Sequence, residues 1–350
     1  MSNKEQKKAL ITGAAGFIGY HMSKRLLDEG WQVIGLDCMS NYYDVSLKEH
    51  RESMLLKSAH YKSVHEKVET PDVLLNLFKA EQPDTVIHLA AQAGVRYSIE
   101  NPRAYLESNI NGTFELLEAA RKYPPQQMLL ASTSSAYGAN EDMPYKETIK
   151  ADHQMSFYAA SKKSTENMAH SYAHLFGLPI TMFRFFTVYG PLGRPDMALF
   201  KFTEAILNGD PIDVYNHGNM SRDFTYIDDL VNAIRLLIDV IPDTKNLLPK
   251  KSDVVDSKSN VAPFRVVNIG NSKPALLSDF ISAIENSVGN QAVKNLMPMQ
   301  AGDVPTTWAD TSLLEELTGY KPNTDLFTGV QNFVDWYREY YHDKIKVKKR

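Results

Sequence analysis

Two kinds of apolar pattern alternate along the first half of this chain. Short apolar runs, the mark of buried strands, occupy residues 8–13, 31–37, 85–90, 128–132 and 179–189, with a weaker one at 61–68. Between them lie stretches of helical periodicity at 17–29 and about 71–80, 103–122 and 155–176. Strand–helix alternation of this kind predicts right-handed βαβ units, and so an α/β fold with a doubly wound parallel sheet carrying helices on both faces. The second half is less regular. It predicts helices near 197–208, 227–240 and 327–341, a strand at 266–269, and a long polar loop at 243–263. The division expected is a Rossmann-type domain over 1–189, rejoined by 223–268, and a smaller discontinuous α/β part made of 190–222 and 269–350.

Composition narrows the function classes mainly by exclusion. The 350 residues are 43% hydrophobic, with 18 Gly and 17 Pro in no period, so a disordered or collagenous chain is excluded. A net charge of −4 gives no broad basic surface for nucleic acid, and the basic tail at 344–350 reads as a solvated terminus. The single cysteine, Cys38, excludes an internal disulfide framework and a cysteine zinc site, and is expected to be packed rather than reactive. No apolar run is long enough to span a bilayer, and the first residues lack a signal-peptide pattern, so a cytoplasmic protein without a membrane partner is expected. His170 and His174 share a helix face at metal-ligand spacing, but with no third ligand near they read as surface residues and no metal is expected.

The first chemical signal is Gly13-Ala14-Ala15-Gly16-Phe17-Ile18-Gly19, set where a strand turns into a helix. Glycines let the chain turn tightly and let a pyrophosphate approach the helix N-terminus. Asp37 ends the next strand; a carboxylate there accepts from ribose hydroxyls and repels a 2′-phosphate, so the cofactor expected is NAD. The second signal is Tyr158 and Lys162, one helical turn apart, where an ammonium would favour the phenolate and make the tyrosine a usable base. Upstream, a buried strand ends in Ser132, Thr133, Ser134 and Ser135, at the sheet edge where ligands bind in open α/β folds.

These segments resemble the extended short-chain dehydrogenase/reductase family, and its nucleotide-sugar epimerases in particular. Thr133, Tyr158 and Lys162 match that family's catalytic set. Residues 90–98 are similar to its LAAxAGVRxS segment, 184–191 to RxxNVYGP with Thr187 in place of asparagine, and 222–229 to RDYxxVxD. The resemblance implies cofactor contacts from Gly13, Gly16, Phe17, Ile18, Gly19, Asp37, Asn41, Val68, Leu89, Ala90, Ala91, Ala93, Asn109, Ser132, Tyr158, Lys162, Phe185 and Val188. It implies substrate contacts from Arg96, Ser98, Thr133, Ser134, Ser135, Thr187, Arg194, Tyr215, Arg222 and Asp303, with Arg222 on the diphosphate. Lys67 stands where the family has an adenine-contacting aspartate. Ser135 replaces the acid of the family's dehydratases and decarboxylases, which disfavours dehydration. Segments 193–198, 215–222 and 299–305 are similar to those of members acting on uronates, and there Arg194 would meet the C5 carboxylate. The activity implied is 4-epimerisation of UDP-glucuronate through a 4-keto intermediate, by a homodimer paired through helices near 103–122 and 155–176. Epimerisation of a neutral UDP-sugar, decarboxylation of UDP-glucuronate, and a non-catalytic NAD-sensing role stay open at this point.

Overall fold

The computed structural model describes residues 6–243, 253–300 and 302–342. In chain order the first half builds β1 (Lys8–Thr12), α1 (Phe17–Asp28), β2 (Gln32–Leu36), α2 (Val45–Leu55), β3 (Tyr61–Val64), α3 (Val73–Glu81), β4 (Thr85–His88), the short α4 (Tyr97–Glu100) and α5 (Pro102–Tyr105), a π-helical segment Leu106–Asn111, α6 (Gly112–Lys122), β5 (Gln127–Ala131), α7 (Phe157–Phe176), β6 (Ile180–Phe185) and β7 (Thr187–Tyr189). The second half adds α8 (Ala198–Asn208), β8 (Pro211–Val214), β9 (Ser221–Tyr226), α9 (Ile227–Ile238), β10 (Phe264–Ile269), β11 (Pro274–Leu276), α10 (Leu277–Val288), β12 (Val293–Leu296), α11 (Ser312–Thr318) and α12 (Leu326–Tyr340).

Seven strands form a parallel sheet in the order β10-β6-β5-β4-β1-β2-β3. Burial on both faces explains the unbroken apolar runs of β4, β5 and β10. β3 is the edge strand and only Tyr61 in it is buried, which is why its pattern was faint; it is also shorter than the run at 61–68. The strand order reverses between β1 and β4, the place where such sheets open a ligand crevice.

Three expectations change. The run at 179–189 is two strands, because the chain leaves the large sheet after β6 and β7 pairs with β9 in a separate sheet ordered β11-β9-β7. The helix at 103–122 contains the π segment, and its Asn109 is drawn into a buried clamp on the neighbouring loop. Cys38 is exposed rather than packed. In the first half, α2 forms where no helix is predicted; its largely polar sequence hides the buried Leu47, Arg51 and Leu55, though Asp44, which caps it by accepting from Ser46 N–H, is a visible start signal.

The later elements position the second wall of the crevice. β10 returns to the large sheet, and α9 lies against α1, joined by Arg235 to Glu29 and Arg25 to Asn232. Phe224 of β9 stacks on Phe280 of α10 at 4.3 Å, and Phe200 of α8 packs edge-on against Tyr337 of α12 at 5.1 Å. Buried Asp223 accepts from the backbone N–H groups of Asn271, Ser272 and Ala309 at 2.6, 3.0 and 3.1 Å, which ties β9 to two distant turns. His170 meets Ser259 and His174 meets the Val261 carbonyl, so both anchor the described end of the polar loop; residues 244–252 of that loop and the basic tail lie outside the described residues.

Candidate active site

A cavity of about 1030 Å³ runs from the glycine turn, past the ends of β4 and β5, to the wall formed by α8, β9 and α10. The turn is a backbone cradle. Gly13 has φ +72°, and a Cβ there would lie 2.9 Å from the Ala90 nitrogen; a Cβ on Gly19 would lie 2.0 Å from the Gly13 carbonyl oxygen. Only glycine lets β1, α1 and the end of β4 approach this closely. Asp37 accepts from Ala15 N–H at 3.1 Å and Met39 N–H at 2.9 Å, with Lys48 Nζ at 3.5 Å, so its carboxylate is held at the cavity edge. A glycine cradle at a helix start with an anchored acid beside it fits a dinucleotide pyrophosphate and its ribose.

The centre of the cavity carries the hydroxyls. Thr133 caps a short turn by accepting from Ser135 N–H, and Ser134 and Ser135 follow it along the wall. Tyr158 lines the same wall as Thr133. Burial raises the Tyr158 phenol, while nearby Thr133 and the Arg194 charge act in the opposite sense. Lys162 is turned to the Ala131 carbonyl at 2.8 Å, and burial lowers its ammonium to about 8 against the pull of Glu166. In this arrangement Lys162 is held by the Ala131 carbonyl, and Arg194 is a second cation whose charge favours the phenolate.

Beneath this wall is a buried ionic network. Arg184 of β6 forks onto Glu166 of α7 with both contacts at 2.8 Å, Ser132 donates to the same carboxylate at 2.6 Å, and Lys163 reaches it at 2.9 Å. Burial alone would raise the Glu166 carboxyl; Arg184, Lys163 and Ser132 overcome it and hold it at about 2. The network fixes Ser132 immediately before Thr133.

The far end is lined by three arginines. Arg96 meets Asp303 at 3.2 Å and lies over the Tyr215 ring at 4.7 Å. Arg222 donates to the carbonyls of Ser221 and Pro305. Arg194 forks onto Asp196. The loop that carries Arg194 is strapped to the cofactor side: fully buried Arg51 donates to the Leu192, Gly193 and Ala15 carbonyls, and His21 of α1 meets the Pro191 carbonyl at 3.0 Å.

Nearly all the residues anticipated from sequence line this one cavity: Gly13, Gly16, Phe17, Ile18, Gly19, Asp37, Val68, Leu89, Ala90, Ala91, Ala93, Arg96, Ser132, Thr133, Ser134, Ser135, Tyr158, Lys162, Phe185, Thr187, Val188, Arg194, Tyr215, Arg222 and Asp303. Three stand off its wall. Asn109 clamps Gln92 through both backbone groups and donates to Ser161; Ser98 donates to the Val95 carbonyl; Asn41 is exposed. Asn109 and Ser98 thus shape loops behind the wall. Lys67 pairs with Glu69, and Glu66, Val68 and Glu69 rather than Lys67 line the cavity. Sequence reasoning missed Tyr42, Tyr43 and Lys48, which enter the wall from the α2 region, and Phe202, Phe224 and Phe280, which enter from the second wall.

Comparison with known proteins defines the class. The family model described as the NAD dependent epimerase/dehydratase family matches residues 9–246, and the chain belongs to this family. It is 54% identical over 333 residues to a Rhizobium meliloti (strain 1021) protein named "Probable UDP-glucuronate 4-epimerase", covering 95% of this chain and 97% of that one. It is 45% identical to UDP-glucuronate 4-epimerase 4 of Arabidopsis thaliana over 97% of this chain and 77% of that one. The crystal structure of UDP-glucuronic acid 4-epimerase from Bacillus cereus, in complex with UDP-glucuronic acid and NAD, superposes with a TM-score of 0.84 at 32% identity, covering 95% of this chain and all of that one.

Proposed function

We propose that this chain catalyses the NAD-dependent 4-epimerisation of UDP-glucuronate to UDP-galacturonate. The observation that carries the reading is a forked arginine, Arg194, lining one cavity with Thr133 and Tyr158, with a dinucleotide cradle at its other end. Tyr158 takes the C4 hydroxyl proton, Thr133 holds the C4 oxygen, and Lys162 supports the nicotinamide ribose side. The glycine cradle and Asp37 would hold NAD, which would supply reversible hydride acceptance at C4. Arg222 anchors the diphosphate, so that the sugar turns about a fixed end. Arg194 meets the carboxylate and, with Ser134 and Thr187, keeps the bond to it out of line with the C4 carbonyl, which restrains loss of CO₂ from the β-keto acid. Residues 1–189 with 223–268 serve the cofactor, and 190–222 with 269–350 serve the sugar nucleotide.

Incubation with UDP-glucuronate should give a mixture with UDP-galacturonate and no net reduction of NAD, while UDP-glucose and UDP-N-acetylglucosamine should react far more slowly. Faster turnover of either neutral sugar, or release of CO₂ as the main outcome, contradicts the reading. Arg194→Ala should raise the share of UDP-pentose product about tenfold or more, on the scale of a lost charge-assisted fork. An unchanged epimer-to-pentose ratio by chromatography removes Arg194 from this role.

The homodimer belongs to the same proposal. Leu106, Phe114 of α6 and Phe157 of α7 are exposed apolar side chains on the two helices expected to pair, and no helix among the described residues is long and apolar enough to cross a membrane. Sedimentation of the purified chain as a monomer at micromolar concentration would remove that part. A cytoplasmic location is proposed with it.

A further inference from the structure

Arg194 reaches the cavity already holding a carboxylate. Its Nε donates to Asp196 Oδ1 at 3.0 Å and its Nη2 to Oδ2 at 2.6 Å, and both side chains line the cavity at about a quarter exposure (23% and 24%). An anionic substrate therefore meets a guanidinium that is already neutralised.

This pair is not needed to hold the loop. Arg51 binds the carbonyls of Leu192 and Gly193 at 2.6 and 3.3 Å, and His21 binds that of Pro191. The backbone around Arg194 is fixed from the cofactor side, which leaves the Asp196 carboxylate free to act on the side chain alone.

The inference rests on the uronate reading above. Epimerisation presents both faces of C4 to the same Tyr158 wall, so the ring turns over and the C5 carboxylate leaves its first position. A persistent two-point bond to Arg194 would tether the ring, and a guanidinium stripped of any partner in a half-buried site is costly. We propose that Asp196 is the exchange partner of Arg194: it takes the fork while the 4-keto sugar turns and yields it when the substrate carboxylate returns. Asp196 is thus a positioning residue, acting through Arg194.

The test is Asp196→Asn, with Asp196→Glu as the charge-retaining control, in the full-length chain loaded with NAD and with thermal unfolding confirming that each variant is folded. With its exchange partner uncharged, Arg194 should hold the uronate longer. KM for UDP-glucuronate should fall about fivefold and kcat about tenfold, the size of one charge-assisted contact. Reduced nicotinamide absorbance should build up during turnover, and the UDP-pentose share should rise as the keto acid waits: its C5–C6 bond breaks to CO₂ and an enolate that takes a proton from water, and return of the C4 hydride to the resulting 4-keto pentose gives UDP-pentose. Asp196→Glu should restore all four. A KM that stays or rises, with no build-up of reduced nicotinamide, makes the pair a simple scaffold and overturns the proposal. Should wild type form no epimer from UDP-glucuronate, the uronate reading falls and the exchange with it; normal epimerisation by wild type beside an unaltered Asp196→Asn removes the exchange alone.

Discussion

Tyr158→Phe is expected to lower turnover about 10³-fold, within the range of a lost general base, while leaving fold and cofactor in place. The phenol lines the cavity beside Thr133, and its ring meets Tyr105 edge-on at 5.9 Å. Phenylalanine keeps the ring contact and removes only the proton acceptor. No neighbour can substitute: Thr133 and Ser134 are alcohols, and Lys162 is engaged with the Ala131 carbonyl. Substrate binding by calorimetry should stay within a few-fold of wild type, because Arg222, Arg96 and the glycine cradle are untouched. A variant that keeps more than about a tenth of wild-type activity, far above what loss of a general base allows, would remove Tyr158 from the chemistry.

The second large effect concerns stability. Glu166→Ala should destabilise the fold by about 3–5 kcal/mol, the usual result of stranding one partner of a buried ion pair. Arg184 and Glu166 are both almost fully buried, and the same carboxylate accepts from Ser132. The loss should appear in urea unfolding at neutral pH. Activity should fall with it, since Ser132 precedes Thr133 in the wall. The pH dependence follows from the held-down carboxyl. Its folded pKa of about 2 lies below the ordinary glutamate value of about 4.3, so its stabilisation is complete above the latter and disappears as pH falls toward 2. The wild-type-minus-variant difference should therefore shrink across that window. A difference that stays constant with pH would mean that packing, not the ion pair, accounts for the effect.

Much of the candidate site is legible in the sequence because several of its segments sit at strand ends. Short apolar runs marked β1, β4 and β5, and the residues directly after them, Gly13, Ala90 and Ser132–Ser135, face one crevice by the geometry of a parallel sheet. Tyr158 and Lys162 were visible as one turn of a long helix. What escaped was carried by segments with weak periodicity. α2 is largely polar, yet its Arg51 is fully buried and bonds the carbonyls of Ala15 and Leu192. No local pattern announces a side chain whose partners lie that far away in the chain.

The opposite error came from patterns that were too regular. Residues 179–189 read as one strand because apolarity continues through Phe186, but its backbone N–H turns to Ile269 and the next residues join another sheet. Asn109 and Ser98, expected to contact cofactor and substrate, stand off the wall and bond the loops that line it.

By itself, then, the amino-acid sequence determined the sheet, the glycine cradle, the acid beside it and the tyrosine–lysine turn, because each depends on spacing within one strand–helix unit. Tertiary structure decided the charge state of the site. Arg96 finds Asp303 only across the crevice and Arg184 finds Glu166 only where β6 packs on α7, and Arg194, two residues from Asp196, is aimed into the cavity only by the loop that Arg51 holds.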